Sequence, residues 1–307
     1  MKCVSQLLAA RKYDVRTFAD GREARDYIAG HPEVSVLITS TEPLSISGLE
    51  LCWEVRLLAS GRRPIHIIVM SSNDDQKNLI EALDGGADDF IRKPPAAEEL
   101  YARLRCAERL TSMQRQLIRL ATTDPLTGAL NRRAFFETGH QMCEAAAAGT
   151  PLAALMFDVD HFKRINDEHG HDIGDEALRQ VVTTAGGQCA VLGRLGGEEF
   201  AVLLAGADLA AAAAAAEALR ARIAVLQIAT PKAVLSFTSS FGVAQWVGGD
   251  TIDTLLKRAD TALYQAKRSG RNRVAAADSL RPIPTDGNAR AVTRSSVRAH
   301  ARLGRSI

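Results

Sequence analysis

The sequence predicts an α/β protein with two domains joined by a long helix, and three observations lead to this class. Over residues 14–110 short apolar runs alternate with amphipathic stretches, which is typical of βα units, so a small doubly wound domain is expected within residues 1–110. Residues 97–122 contain neither glycine nor proline, as one long helix requires. A second alternation of apolar and helical segments occupies residues 120–276.

The composition suits two domains and excludes several classes of partner. The chain has 307 residues, which fits two domains of roughly 100–200 residues each. Its 38 Lys and Arg nearly balance its 36 Asp and Glu, so no overall field predicts a nucleic-acid or membrane partner. The five scattered cysteines favour a reducing compartment. Because no run of about 18 apolar residues and no signal peptide is found, a soluble, cytoplasmic protein is predicted.

An apolar stripe follows the helix predicted over residues 97–122. Its members recur at steps of three and four: Leu100, Leu104, Ala107, Leu110, Met113, Leu117 and Leu120. Such a stripe predicts a coiled coil with a second copy of the helix. The alternative is a helix that packs on its own domain.

The second domain begins at TTDPLTGALNRRAFF, where Asp124 is placed to cap a helix and Pro125 to begin it. Its predicted strands are LAALMFDVD, GRLGGEEFAVLL and SFTSSFGVAQW. Its predicted helices span about 132–147, 172–186, 207–226 and 251–268. Residues 277–307 are rich in Arg, Ala, Ser and Pro without periodicity, and a disordered basic tail is expected there.

Carboxylates lie at the ends of two predicted strands. LAALMFDVD is apolar until Asp158 and Asp160, either of which can join a cation site or cap the segment that follows. In GRLGGEEFAVLL a Gly-Gly turn with positive φ is expected to place Glu198 and Glu199 on the outgoing strand. One of these glutamates, meeting Asp158 across adjacent strands, would form an oxygen site suited to Mg²⁺. The alternative is an ordinary hairpin.

Other polar residues have the chemistry to bind a nucleotide. Asn166 and Asp175 offer an amide and a carboxylate that match the donor and acceptor edge of guanine, although loop or cap roles are the alternative. Lys267 and Arg271, at the end of the last predicted helix, suit either a triphosphate or the helix dipole. Zinc is not expected at the nearby histidines, because no Cys or His cluster complements them: His161, His169 and His171.

Together these segments resemble the GGDEF diguanylate cyclases in their GGEEF version. DPLTGALNRRAFF, FDVDHFKRINDEHGHDIGDEAL, RLGGEEF and ALYQAKRSGRNR occur in the family's order and approximate spacing over residues 120–276. The resemblance implies an α/β domain related to adenylyl cyclase and polymerase palm folds. It also implies a nucleotidyltransferase that acts as a homodimer and condenses two GTP into cyclic di-GMP with release of two pyrophosphates.

The resemblance further implies a role for each matching residue. Asp158 and Glu198 correspond to the carboxylates that bind Mg²⁺, two ions per active site with Mn²⁺ as the alternative ion, and the Val159 carbonyl is a further ligand. Glu198 is also the candidate acceptor of the 3′-hydroxyl proton, and Glu199 supports the metal site. Asn166 and Asp175 resemble the family's guanine-reading pair. The residues that resemble its triphosphate contacts are Phe162, Lys163, Lys267 and Arg271.

The chain departs from the family pattern before the hairpin. Relatives with product inhibition carry an Arg-x-x-Asp pair there, whereas this chain has GQCA at residues 187–190. Weak or absent feedback by cyclic di-GMP through that site is therefore expected. A catalytically inactive GTP-binding or protein-interaction module that retains the fold is the alternative to an active enzyme.

The first domain resembles a two-component receiver, a flavodoxin-like fold. Lys93 before Pro94 matches the receiver lysine, and Ser71 matches the switch hydroxyl. Thr39 takes the position of the phospho-accepting aspartate, so aspartyl phosphorylation is not expected. The first receiver strand has no counterpart, which predicts either a truncated start or a degenerate dimerisation module.

Overall fold

The computed structural model describes residues 2–41, 46–59, 63–72, 76–186, 191–230 and 233–277. Two predictions, the GQCA segment at 187–190 and the tail from residue 278 onward, lie outside this part of the chain. None of the helices in the described ranges combines the length and hydropathy that a membrane span requires.

The N-terminal part is built on a parallel sheet. Its strands are β1 (Val36–Ser40), β2 (His66–Ser71) and β3 (Asp89–Arg92), in the order β1-β2-β3. Its helices are α1 (Lys2–Ala10), α2 (Gly21–Gly30), α3 (Gly48–Ala59) and α4 (Gln76–Asp84). Strand β2 is buried along its whole length, as expected for a strand covered on both faces. The apolar run at residues 14–18 is not a strand, because no strand of the described sheet pairs with it.

Helix α5 (Ala97–Thr122) divides the predicted apolar stripe between two environments. Its first half, with Leu100 and Leu104, packs into a core that also contains Ile68 of β2 and Ile91 of β3. In the second half the stripe is 42 to 68% exposed at Leu110, Met113, Leu117 and Leu120. The helix therefore packs on its own domain over one half and presents an uncovered apolar stripe over the other.

The C-terminal part is built on a mixed sheet. Its strands are β4 (Leu130–Asn131), β5 (Leu152–Val159), β6 (Val191–Gly196), β7 (Glu199–Ala205), β10 (Ser239–Gln245) and β11 (Val274–Ala276), with a separate pair β8 (Ile228–Ala229) and β9 (Val234–Leu235). Its helices are α6 (Arg132–Ala147), α7 (Phe162–His169), α8 (His171–Ala185), α9 (Leu209–Ala224) and α10 (Ile252–Arg268). The sheet order is β11-β10-β5-β7-β6-β4, so β5 lies inside the sheet and is antiparallel to both neighbours.

Helices cover both faces of this sheet. On one face Phe157 of β5 stacks between Phe200 and Phe241, with ring centroids 5.3 and 4.8 Å apart, above α8 and α9. The opposite face of β5 packs against α6 and α10. A Cβ at Gly242 of β10 would lie 2.0 Å from the carbonyl oxygen of Ala259, so only glycine lets α10 sit this close to the sheet.

The predicted helix start at Pro125 is wrong. Residues after α5 form a turn in which Asp124 Oδ1 accepts hydrogen bonds from the amide and hydroxyl of Thr127. The same oxygen lies 3.0 Å from Nη1 of Arg194 on β6. Helix α6 begins later, with Asn131 as its N-cap. The Asp124 carboxylate thus binds Thr127 within its own turn and Arg194 of the hairpin.

Candidate active site

The end of β5 brings a buried carboxylate to the edge of the C-terminal sheet. Asp158 is 6% exposed. It stands opposite Glu199 of β7 and Ser240 of β10 in the two antiparallel registers. Because directly opposed residues project from the same face, the side chains of Asp158 and Glu199 lie on the same side of the sheet. The strand end and the hairpin therefore form one acidic position.

The hairpin turn differs by one residue from the prediction. Gly197, with φ of +44°, and Glu198 form the turn, whereas Gly196 is the last residue of β6 and has no positive φ. Glu198 therefore lies in the turn and not on the outgoing strand. It is half-buried, while Glu199 is exposed. Glu198 in the turn and Glu199 opposite Asp158 on β7 both lie near enough to Asp158 to raise its pKa.

Lys267, in the last turn of α10, forms an ion pair with the buried carboxylate of Asp158. Its Nζ lies 2.8 Å from Asp158 Oδ2. Burial raises the pKa of Asp158 to about 6, and the carboxylates of Glu198 and Glu199 add to the rise, while the contact with Lys267 opposes it. The prediction assigned Lys267 to a triphosphate, but here its ammonium group is the counter-ion of the buried carboxylate.

The donor set of this position fits a hard divalent cation in kind. The carboxylates of Glu198 and Glu199 both act on Asp158, next to the buried main chain of Val159 that ends β5. Carboxylate and carbonyl oxygens are the ligands that Mg²⁺ prefers. Within the described ranges, however, no three acidic, His or Cys side chains are gathered closely enough to hold a metal ion. The candidate ligands are present, and the ammonium group of Lys267 is the charge partner of Asp158.

Asp160 has a different role from Asp158. Its two carboxylate oxygens accept hydrogen bonds from the hydroxyls of Thr238 and Ser240, both at 2.7 Å, and from the main-chain N–H of Asn272 at 3.1 Å. Asp160 is only 4% exposed. Of the two aspartates that could join a cation site, Asp160 is therefore used for hydrogen bonds within the protein, which leaves Asp158 as the candidate ligand.

The residues predicted to read guanine lie on α7 and α8. The Oδ1 atom of Asn166 is buried and has no hydrogen-bond partner among the described residues. Gly174 faces it, and a Cβ there would lie 1.9 Å from that oxygen. Asp175 follows, half-buried and inside α8, so the cap role is wrong for it. Because a buried polar atom without a partner is costly, the Asn166 amide is suited to a ligand that pairs with it.

The start of α7 and the turn after α10 hold the other predicted contacts. The side chain of Phe162 is buried in the core, so its main-chain amide is the part that a ligand can reach, and Lys163 is exposed. His161 caps α7 without a side-chain hydrogen bond. First-turn amides of a helix lack intrahelical acceptors and attract anions. Arg271 is exposed, and its guanidinium has no hydrogen bond or ion pair to any other described residue.

Sequence reasoning missed the network around Asp160. Its partners lie 78 to 112 residues away along the chain. One signal was available in the sequence, because SFTSS places hydroxyl side chains at the start of a predicted strand, and Ser239 and Ser240 are buried there. Such buried hydroxyls need acceptors, and the second aspartate of FDVD was the nearest candidate in chemistry.

The receiver-like residues lie at strand ends of the parallel sheet. Thr39 is in β1, and Ser71 is the buried last residue of β2. Lys93, just after β3, donates a hydrogen bond to the Ser40 hydroxyl beside Thr39. The lysine thus reaches the strand end where the sequence analysis placed Thr39 in the acceptor position.

Fold and site together define a class of protein. A parallel α/β domain is followed, through a long helix, by a mixed sheet whose central strand ends in a buried acid paired with lysine. Comparison with known proteins then gives the family. Residues 121–273 match the family described as diguanylate cyclase, GGDEF domain, and residues 1–105 match the response regulator receiver domain. The chain belongs to the GGDEF family and carries a receiver domain ahead of it, which confirms the predicted fold class and resemblance.

Its relatives include a protein named as a response regulator and one named as a diguanylate cyclase. Response regulator PleD of Caulobacter vibrioides is 36% identical over 262 residues, which are 80% of this chain and 57% of PleD. Diguanylate cyclase DgcM of Escherichia coli K12 is 36% identical over 238 residues, 73% of this chain and 57% of DgcM. The chain therefore spans 57% of the length of these two relatives.

Solved structures resemble the C-terminal part. The coiled coil and GGDEF domain of DgcB from Caulobacter crescentus, in complex with c-di-GMP, has a TM-score of 0.53 at 35% identity and covers 58% of this chain and 99% of its own. The GGDEF domain of the same protein alone, also with c-di-GMP, has a TM-score of 0.50 at 37% identity, with 52% and 94% covered.

Proposed function

We propose that this protein is a diguanylate cyclase, a nucleotidyltransferase that condenses two GTP into cyclic di-GMP and releases two pyrophosphates. The observation that carries the proposal is the buried Asp158 at the end of β5, opposite Glu199 and paired with Lys267. An acidic position that can bind a divalent cation, with a lysine beside it, suits a nucleotide held through its phosphates. The names of relatives such as diguanylate cyclase DgcM agree with this chemistry.

Guanine is recognised by Asn166 and Asp175. The buried Oδ1 of Asn166, which has no hydrogen-bond partner in the described part of the chain, can accept from the base, and Asp175 supplies a carboxylate acceptor on the next helix. Guanine presents two adjacent N–H donors on one edge and a carbonyl and ring nitrogen on others, whereas adenine lacks that donor pair. We therefore propose that this pair selects GTP over ATP.

The triphosphate is held by cationic groups around the strand end. Lys163 and Arg271 are exposed cations, and the amide of Phe162 lies at the open start of α7. Asp158, Glu198, Glu199 and the carbonyl of Val159 would hold Mg²⁺, two ions per site with Mn²⁺ as the alternative. When bound, the metal would neutralise phosphate charge and favour ionisation of the attacking hydroxyl. Lys267 would then leave Asp158 for a phosphate oxygen.

In the bond-forming step the 3′-oxygen of one GTP attacks the α-phosphorus of the other. A phosphorus–oxygen bond forms to the ribose, the α–β bridging bond breaks, and pyrophosphate leaves. Glu198 accepts the proton of the 3′-hydroxyl, and Glu199 supports the site from the adjoining strand position. The same exchange in the opposite direction closes the ring and releases the second pyrophosphate.

Because each product molecule needs two GTP molecules that attack one another, we propose that two copies of the domain face each other in a homodimer. The exposed half of the α5 stripe, from Leu110 to Leu120, supports this proposal. Apolar residues at steps of three and four that no part of the described chain covers are typical of a coiled-coil seam. The receiver-like domain would set the geometry of the pair, in the cytoplasm.

The test is turnover and nucleotide binding by the full chain. With GTP and Mg²⁺ the protein should form cyclic di-GMP, and Glu198→Ala should abolish more than about 99% of the turnover while guanine recognition remains. Glu144→Ala, at an exposed position on α6, is the matched control and should be fully active. A parent protein that binds GTP without forming product would instead favour the non-catalytic module. Undiminished product from Glu198→Ala would overturn the role of that residue.

A further inference from the structure

The turn that follows α10 is held in an unfavourable backbone conformation. Gly270, Arg271 and Asn272 have φ values of +115°, +61° and +44°. Glycine adopts positive φ freely, but two consecutive side-chain-bearing residues there are disfavoured. Conformations of this kind persist only where the surroundings hold them in place.

Asp160 holds this turn from the sheet side. Its Oδ2 accepts the main-chain N–H of Asn272 at 3.1 Å. The carboxylate is itself fixed, because the hydroxyls of Thr238 and Ser240 both donate to it at 2.7 Å and it is 4% exposed. The second residue of the strained pair is thus tied to the end of β5, two residues beyond Asp158.

Arg220 of α9 holds the same residue from the other side. Its Nη1 donates to Asn272 Oδ1 at 2.6 Å. The guanidinium is oriented by Glu217, one turn earlier in α9, through hydrogen bonds of 2.6 to 3.0 Å. Asn272 therefore has its main chain bound to a strand and its side chain bound to a helix.

We propose that Asp160 and Arg220 are positioning residues for Arg271. The guanidinium of Arg271 makes no hydrogen bond or ion pair with any other described residue, so its placement depends chiefly on the backbone of the turn. Asp160 and Arg220 keep that backbone left-handed and direct Arg271 toward the triphosphate of GTP, which removes an ordering cost from binding. The inference rests on the proposed function, because it assumes that GTP is the ligand.

A double-mutant cycle on the full chain tests the inference. Binding of α,β-methylene-GTP with Mg²⁺ is measured by calorimetry for the parent, Asp160→Ala, Arg271→Ala and the double variant. Each single change should weaken binding about tenfold, as for a lost charge-assisted hydrogen bond, and the double variant should bind no more weakly than Arg271→Ala. Asp160→Asn retains an oxygen that can accept from Asn272, so it should restore affinity to within about twofold of the parent.

Several outcomes would contradict the inference. Unchanged affinity in Asp160→Ala, or losses that multiply in the double variant, would show that Asp160 does not act through Arg271. If Asp160→Ala fails to fold, Arg220→Ala replaces it in the same cycle under the same criteria. A coupled cycle in a parent that makes no cyclic di-GMP would uphold the inference and overturn the proposed activity. A parent that does not bind the analogue would overturn both.

Discussion

The residue that most shapes the site is Asp158, a carboxylate buried at the end of an otherwise apolar strand. Burial disfavours its charged form, and two neighbouring glutamates disfavour it further, so its pKa lies near 6 despite the contact with Lys267. A buried acid that is hard to ionise costs folding stability at neutral pH. A divalent cation that neutralised this buried charge would therefore stabilise the folded protein more than one bound at an exposed carboxylate.

The cost should be visible as a pH-dependent effect of Asp158→Asn. The pKa of Asp158 is raised in the folded protein from 3.8 to about 6, so the penalty is absent below pH 3.8, grows between these values and is complete above about 6. This rise corresponds to about 3 kcal/mol. In buffer without divalent ions, thermal denaturation should therefore show that Asp158→Asn gains stability over the parent as the pH rises from 4 to 7.

The exposed Asp167→Asn on α7 is the matched control and should show no such trend. A difference between Asp158→Asn and the parent that stays constant across this pH range would contradict the account of the buried charge.

Gly174 gives a second prediction for a single residue. It lies within α8 without a positive φ, so glycine is there for space and not for backbone freedom. In Gly174→Ala the new Cβ would displace the Asn166 amide, and GTP binding should weaken by about tenfold or more because one base contact is lost. Calorimetry measures the affinity, and Gly30→Ala, with open space around it, is the control. Full GTP affinity in Gly174→Ala would contradict the proposed role of Asn166 in guanine recognition.

At the level of elements, strong patterns were predictable and distant partners were not. Strand β5, the β6–β7 hairpin and helices α6, α9 and α10 follow from apolar runs and helical periodicity close along the chain. Helix α7 was not predicted, because its sequence is polar apart from Phe162 and Ile165. The contact of Asp124 with Arg194 and that of Asp160 with Asn272 join residues 70 and 112 positions apart, which local patterns do not reveal.

At the level of secondary-structure elements, the exposed half of α5 predicts that the protein self-associates through this helix. Leu117 is 63% exposed at the centre of the uncovered stripe, and in a parallel coiled coil two copies would meet there. Leu117→Glu would bury two like charges in the seam and should weaken self-association by roughly 100-fold, as measured by analytical ultracentrifugation.

Gln116→Glu, at the adjacent exposed position, adds the same charge outside the stripe and should leave association intact. Equal loss in both variants, or none in Leu117→Glu, would argue against a dimer formed through α5.

For the whole molecule, the chain joins a receiver domain to a GGDEF domain. The resemblance puts the family's inhibitory Arg-x-x-Asp pair at residues 187–190, where the sequence reads GQCA. We expect turnover to be nearly insensitive to added cyclic di-GMP, because no arginine and aspartate at residues 187 and 190 bind the product there. Initial rates at increasing product concentrations measure this. Strong inhibition at micromolar product that disappears when residues 187 and 190 are changed would contradict the expectation.

The stoichiometry of the reaction tests the central claim most directly. The purified full chain is incubated with GTP and Mg²⁺, and nucleotides and pyrophosphate are quantified over time. A diguanylate cyclase consumes two GTP and releases two pyrophosphates for each cyclic di-GMP, and this ratio is the predicted result. GTP that is bound but not consumed, or consumed to GDP and phosphate without cyclic di-GMP, would contradict the account.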